Sequence, residues 1–143
     1  MAILVLRIRG NINTPYWAER TMQLLHLKKR YNATIVKEDP SILGMLYKIK
    51  HYVAWQKIDS DTIKEIIEKR GKRIGNSEEL RLDEIAMKIA NNDIKLSSIK
   101  SIRPWFALNP PRGGFKRSTK RMYTQKGVTG ENAELIKLVR RML

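Results

Sequence analysis

Residues Ile3–Arg9 read ILVLRIR, and this stretch decides how the rest of the chain folds. Side chains alternate across a strand, so Leu4, Leu6 and Ile8 share one face while Ile3, Val5, Arg7 and Arg9 share the other. The first face is apolar throughout and must be core. The second begins apolar and ends cationic. Gly10–Asn13 then reads as a turn. Thr14 is placed to cap a helix whose first position suits Pro15. Trp17, Ala18, Thr21, Leu24 and Leu25 form that helix's inner stripe. Lys28–Arg30 fall at its C-terminal end, where the helix dipole favours cations.

Outward from this start the pattern repeats. Ala33–Lys37 is a short strand. Asp39-Pro40 opens a second helix with Ile42, Met45, Leu46 and Ile49 at the i, i+3, i+4, i+7 positions. Tyr52–Ile58 is a third strand. The first 58 residues are therefore β-α-β-α-β. Helices of this kind bury their stripes on one face of a small sheet, which makes the class α+β; strand order and direction stay open.

From Asp59 the pattern becomes helical. Thr62–Arg70 carries Ile63, Ile66 and Ile67 inward, with Gly71 as its stop. Lys72–Asn76 is a basic loop. A helix beginning at Asp83 turns Ile85, Ala86 and Ile89 inward. Ser97 or Ser98 caps a short helical turn running to Ile102. We read residues 1–58 as the core, 59–102 as a helical insertion packed on it, and 103–143 as a basic extension. That extension returns through an extended Arg103–Asn109 and ends in a helix over Glu131–Leu143, with Ile136, Val139 and Leu143 spaced to dock.

The chain has 143 residues, 29 Lys and Arg against 14 Asp and Glu, and a formal net charge of +15. Such a charge repels itself unless a polyanion neutralises it. No apolar run approaches the roughly 18 residues that span a bilayer, and MAILVLRIRG lacks a signal peptide's basic leader, so no membrane role is expected. Cysteine is absent, which excludes disulfides and thiolate zinc sites. His26 and His51 fit no metal spacing. No Walker loop, nucleophile elbow or dinucleotide glycine pattern occurs. The acidic pairs Asp59/Asp61, Glu65/Glu68 and Glu78/Glu79 read as caps and solvated faces. Neither an enzyme nor a cofactor is expected.

The strongest chemical signal is Arg112–Lys126, RGGFKRSTKRMYTQK, because no acidic residue occurs between Arg103 and Glu131. Its few apolar side chains cannot bury a face, so it should be loose alone and fold against a polyanion. Gly113 and Gly114 let backbone approach a partner closely, and Phe115 and Tyr123 offer flat faces for unpaired bases. Solubility runs usually mix signs, whereas this one is single-signed. The candidate RNA-binding residues here are Arg112, Gly113, Gly114, Phe115, Lys116, Arg117, Lys120, Arg121 and Lys126. Arg7, Arg9, Gly10, Lys48, Lys50, His51, Lys72 and Arg73 complete the set. Trp17, Trp55 and Trp105 read as core, with Trp105-Phe106 pinning the extension to the body. No recognition helix, zinc motif or zipper for reading DNA is visible, and a glycine-bearing extension suits threading along folded RNA.

LRIRGNINTP at Leu6–Pro15, TIVKEDPSILGMLYKIKHYVAW at Thr34–Trp55, IIEKRG at Ile66–Gly71, PPRGGFK at Pro110–Lys116 and LIKLVRRML at Leu135–Leu143 together resemble one family. It is large-subunit ribosomal protein thirty, whose eukaryotic relatives are called large-subunit protein seven. The insertion and the PPRGGFK extension resemble its archaeal and eukaryotic form. The start directly at the first strand favours an archaeon. The resemblance implies a ferredoxin-like core, no catalysis and no cofactor. It implies large-subunit rRNA as partner, a place near 5S rRNA, neighbouring large-subunit ribosomal proteins and a cytoplasmic ribosome. It does not imply a homo-oligomer. It points at Arg9-Gly10, Lys48–His51 and Arg112–Lys116 as RNA-facing. The main rival is a free nucleic-acid-compacting basic protein. A small acylphosphatase-like enzyme would need an arginine phosphate-cradle loop after the first strand, where none is found.

Overall fold

A computed structural model describes residues 2–10, 12, 14–70, 82–91 and 103–143. Three strands form the centre: β1 (Ala2–Arg7), β2 (Asn32–Lys37) and β3 (Val53–Ile58). β1 lies in the middle and pairs antiparallel with both neighbours, Leu6 opposite Ala33 on one side and Ala54 on the other. Helix α1 (Tyr16–Leu24) connects β1 to β2, and α2 (Pro40–Lys48) connects β2 to β3. This is the ferredoxin-like α+β arrangement expected.

β1 is buried along its whole length, which explains why it reads as a nearly unbroken apolar run. Ile3 and Val5 pack with Ala18, Met22, Leu46, Ile49 and Trp55 beneath α1 and α2. Leu4, Leu6 and Ile8 face the opposite side. There they meet α3 (Ser60–Arg70), α4 (Leu82–Ala90) and α5 (Leu135–Met142) through Ile63, Ile66, Ile67, Ala86, Ile89, Leu135, Val139 and Met142. The first two helices pack on one face of the sheet, through Ala18 and Met22 of α1 and Leu46 of α2. The later helices cover the other face, and each large side chain removed from water adds about 1.5–3 kcal/mol of gross burial.

Several local readings need correction. Thr14 does not cap α1; its hydroxyl donates to the Gly10 carbonyl at 2.8 Å, and Pro15 stands at the cap position without a side-chain bond. α1 is rotated from the expected stripe, with Ala18, Thr21 and Met22 buried and Trp17 and Leu24 exposed at 46% and 65%. α1 also ends at Leu24, so Lys28–Arg30 occupy a loop rather than its last turn. Asp39 behaves as expected, accepting from Ser41 N at 3.0 Å with Pro40 opening α2. The readings at Gly71, Lys72–Asn76 and Ser97–Ile102 lie outside the described residues.

The largest departure is in the basic extension. Phe106–Ala107 forms β4, antiparallel to β2. Ser118–Met122 forms β5, a 3-10 turn covers Tyr123–Gln125, and Gly127–Glu131 forms β6. The sheet has the order β4-β2-β1-β3-β6-β5, with β6 parallel to β3. The segment is thus ordered against the protein itself. Composition alone misses this, because β3 supplies an unpaired strand edge whose backbone groups need partners whatever the side chains of β6 are. Gly127 permits the approach of β5: a Cβ there would lie 1.8 Å from the Arg121 carbonyl oxygen.

The last helix also starts later than expected. α5 begins at Leu135 and buries Leu135, Leu138, Val139 and Met142, while Ile136 and Leu143 are only partly buried. Its start is served by Gln56 of β3, which accepts from Ile136 N at 3.1 Å and donates to the Ala133 carbonyl at 2.8 Å.

Candidate nucleic-acid interface

Pairing of β1 with both neighbours puts three chain segments at one end of the sheet: the exit of β1 at Arg7, the entry of β2 at Asn32 and the entry of β3 at Val53. The extension comes to the same end. Arg9 donates to the Lys120 carbonyl at 2.9 Å, which ties β1's exit to β5. Ala54 opposite Gly130 sets β6 so that Lys126 precedes it beyond the start of β3. Lys120, Arg121 and Lys126 are exposed there, with exposed His51 and half-buried Lys50 in the turn before β3. Lys126 is left-handed (φ 63°), which closes the turn between β5 and β6.

The Arg112–Lys116 part reaches this end by another route. Leu108 N donates to the Tyr31 carbonyl, just ahead of β2, and the Phe115 ring lies 6.0 Å from that of Tyr31. Phe115 is therefore spent on packing against the core rather than held out for bases. Gly113 and Gly114 both have positive φ, 76° and 73°, and make a tight turn. The Arg141 guanidinium donates to the carbonyls of Arg112 and Gly114 and fixes that turn from α5. The glycines thus serve the chain's own geometry, while Arg112 and Lys116 remain exposed.

Arg7 must leave the list of surface cations. It is 0% exposed, and its guanidinium donates to the carbonyls of Leu27 at 2.8 Å and Arg9 at 2.9 Å. Burial lowers its pKa, and the nearby Glu19 carboxylate partly opposes that. The side chain stays charged, because even a large shift leaves an arginine protonated at neutral pH. Alternation put Arg7 on the same face as Ile3 and Val5, and that face is core. Arg117 is partly committed as well, with its guanidinium 4.9 Å from the Tyr123 ring centroid and 3.5 Å from the Glu134 carboxylate. Lys48 sits on the exposed side of α2, 5.7 Å from the Trp17 ring. Lys72 and Arg73 lie outside the described residues.

One cationic group was missed. Lys28, Lys29 and Arg30 are exposed in the loop entering β2, and Arg30 donates to the Ile8 carbonyl at 3.1 Å beside the same end of the sheet. In the sequence the Lys-Lys-Arg run suits a helix C-terminus, but α1 ends at Leu24 and leaves it in the loop. His26 and Trp105 stack at 6.4 Å in the neighbouring cleft, which pins β4 to the body as expected of Trp105.

Among the described residues no group of three His, Cys, Asp or Glu could hold a metal, and no helix is long and apolar enough to cross a membrane. A ferredoxin-like α+β fold with most of its described cations gathered at one end of the sheet defines a small basic α+β protein. The family described as ribosomal protein L30p/L7e matches residues 3–53. The chain is 47% identical to a protein named large ribosomal subunit protein uL30 from Cenarchaeum symbiosum (strain A), over 99% of this chain and 98% of that one. It is 43% identical to the uL30 of Nitrosopumilus maritimus (strain SCM1) over the same shares. With the uL30 of Staphylothermus marinus it shares 35% identity over 97% of this chain and 96% of the other. The chain belongs to the ribosomal protein L30p/L7e family, whose members are structural rather than catalytic.

Proposed function

We propose that this chain is a structural constituent of the large subunit of the cytoplasmic ribosome. It binds and stabilises large-subunit rRNA close to 5S rRNA, beside neighbouring ribosomal proteins and not as a homo-oligomer. The observation that carries this reading is the near full-length similarity to proteins named for the large ribosomal subunit. The cationic end gives it a mechanism. Arg and Lys side chains neutralise phosphates and release condensed counterions, so affinity for naked RNA falls steeply with salt. The RNA-facing set is Arg9, Gly10, Lys28–Arg30, Lys48, Lys50, His51, Arg112, Lys116, Lys120, Arg121 and Lys126.

Sucrose-gradient sedimentation of native extract, probed for this chain after subunit dissociation and a moderate-salt wash, tests the reading. The expected result is stoichiometric co-migration with the large subunit. Migration at the top of the gradient would reject it and favour a free nucleic-acid-compacting protein. Crosslinking within the assembled subunit tests the finer placement: adducts found only on RNA remote from 5S rRNA would remove that part.

A further inference from the structure

We propose that the cleft between α2 and the turn joining β5 to β6 takes one unpaired nucleotide of RNA, with its base stacked among aromatic rings. This inference rests on the ribosomal reading above and deepens it from phosphate contact to base contact. The cleft encloses about 520 Å³ and is lined by Tyr47, Trp55, Met122, Tyr123, Lys50 and Glu131, among others. Ligand pockets commonly span about 300–1,000 Å³, so a nucleotide is of the right size.

The rings are held in place before any ligand arrives. Tyr47 is 58% exposed, yet it meets Trp55 edge-on at 5.7 Å. Tyr123 has the Arg117 guanidinium 4.9 Å from its ring centroid, and that guanidinium is itself paired with Glu134. An exposed large aromatic with a fixed orientation stacks at little entropic cost. Splayed-out bases of single-stranded RNA segments are recognised by such platforms.

Charge decides which part of the nucleotide enters. Lys50, Lys57 and Glu131 line the cleft, and Lys57 is already paired with Glu38, so one remaining cation faces one carboxylate and a phosphate gains no net attraction inside. Arg121 and Lys126 flank the lining residues Met122–Thr124 and are exposed, so they offer the phosphates a place outside. The amide groups of the cleft and the Thr129 hydroxyl are already engaged. Gln56 bonds Ala133 and Ile136, Asn132 bonds Val128 and Glu134, and Thr129 donates to the Arg121 carbonyl. What remains is mainly π surface, which makes the contact tolerant of base identity. A protein segment seated here would have to be both apolar and acidic to suit the cations around it.

The test uses intact large subunits carrying this chain. Ultraviolet crosslinking with mass spectrometry should find a nucleotide adduct on Tyr47 or Tyr123. In subunits carrying Tyr47→Ala with Tyr123→Ala, chemical probing of the rRNA should show one nucleotide whose reactivity rises severalfold. Tyr47→Phe with Tyr123→Phe keeps both rings and should restore protection, which a purely hydrogen-bonding role would not. Adducts only to a neighbouring protein, or unchanged probing with the alanine variant still on the subunit, would overturn the inference and leave the ribosomal reading intact. Absence of the wild-type chain from the subunit would sink both. Should the alanine variant fail to fold, the wild-type crosslink decides alone.

Discussion

The two ends of the central sheet are built from the same three strands and differ in charge: one gathers cations, the other pairs both signs. Where β1 leaves the sheet, Arg9, Lys50, His51, Lys120, Arg121 and Lys126 gather, with the loop Lys28–Arg30 beside them. Where β1 enters, Ala2 lies opposite Lys37 and Ile58, and the chain continues into Glu38, Asp39 and Asp59. There Glu38 pairs with Lys57 at 2.7 Å, and the Lys57 bond holds the carboxyl below its ordinary pKa. Asp39 and Asp59 cap α2 and α3, accepting from Ser41 N and Thr62 N.

Topology sorts these charges. Helices α2 and α3 begin where β2 and β3 end, and helix N-termini favour carboxylates that satisfy their free N–H groups. The connection that enters β3 follows the C-terminus of α2, which favours cations and supplies Lys48 and Lys50. α1 begins at the cationic end without a side-chain cap, and the carboxylate of its first turn, Glu19, faces the buried Arg7. Net charge leaves the cations unplaced; the placement of caps sorts them toward one end of the sheet.

The contrast breaks most sharply by reversing charge at one end. Lys120→Glu, Arg121→Glu and Lys126→Glu together should lower the logarithmic salt slope of rRNA binding by about 2 to 3. At near-physiological salt the affinity should fall on the order of a hundredfold, with the melting temperature little changed. Lys37→Glu with Lys57→Gln at the other end serves as the control and should leave the slope within experimental error. Equal losses from both sets would mean that net charge alone drives binding.

Next in size is Gly127→Ala. A side chain there collides with the Arg121 backbone, so β5 must move off β6. Hydrogen exchange should accelerate through β5 and β6 while β1–β3 stay protected, and RNA affinity should fall about tenfold as two cations lose their placement. Unchanged exchange would mean that the two strands do not depend on this contact.

Arg7→Met sharpens the contrast from inside. It leaves the Leu27 and Arg9 carbonyls short of a donor and should cost about 2 kcal/mol in denaturant unfolding. The salt slope of RNA binding should stay put; a drop approaching one would return Arg7 to the RNA surface.

Asp59→Ala removes the α3 cap and should cost about 1 kcal/mol at neutral pH. The hydrogen bonds from Thr62 hold the Asp59 carboxyl below its ordinary value of 3.8. A lowered folded-state pKa favours the carboxylate form, so this stabilisation is complete above that value and is lost as pH falls through the folded pKa. Acid titration of both proteins should therefore show the stability difference shrinking only below about pH 4.

Much of the first half was legible because its pattern is local. Strand alternation, the Asp39-Pro40 start and the stripe of Ile42, Met45, Leu46 and Ile49 each follow from residues a few positions apart. For α1 the sequence marks a helix between β1 and β2, while its end and its buried face follow from packing. Trp17 and Leu24 are apolar by type, yet both are exposed, and Ala18, Thr21 and Met22 take the buried face of α1. The candidate interface was legible as a list of cations and not as a surface. Arg7 and Arg9 are two residues apart on one strand face, and a layer of helices encloses the first while the second reaches β5.

The sequence by itself determined the α+β class, the β-α-β-α-β core, the inward stripe of α3 and the large net positive charge. Periodicity and net charge are properties of the chain that no contact is needed to reveal. Tertiary structure alone decided that both faces of β1 are covered, that Gly127–Glu131 joins the sheet, and that Gln56 serves the start of α5. Those outcomes depend on which backbone edges and apolar faces remain unsatisfied once the first three strands have paired. The cations come together at one end for the same reason: an antiparallel centre brings the exit of β1 and the entries of β2 and β3 to one place, and β6 carries the extension there.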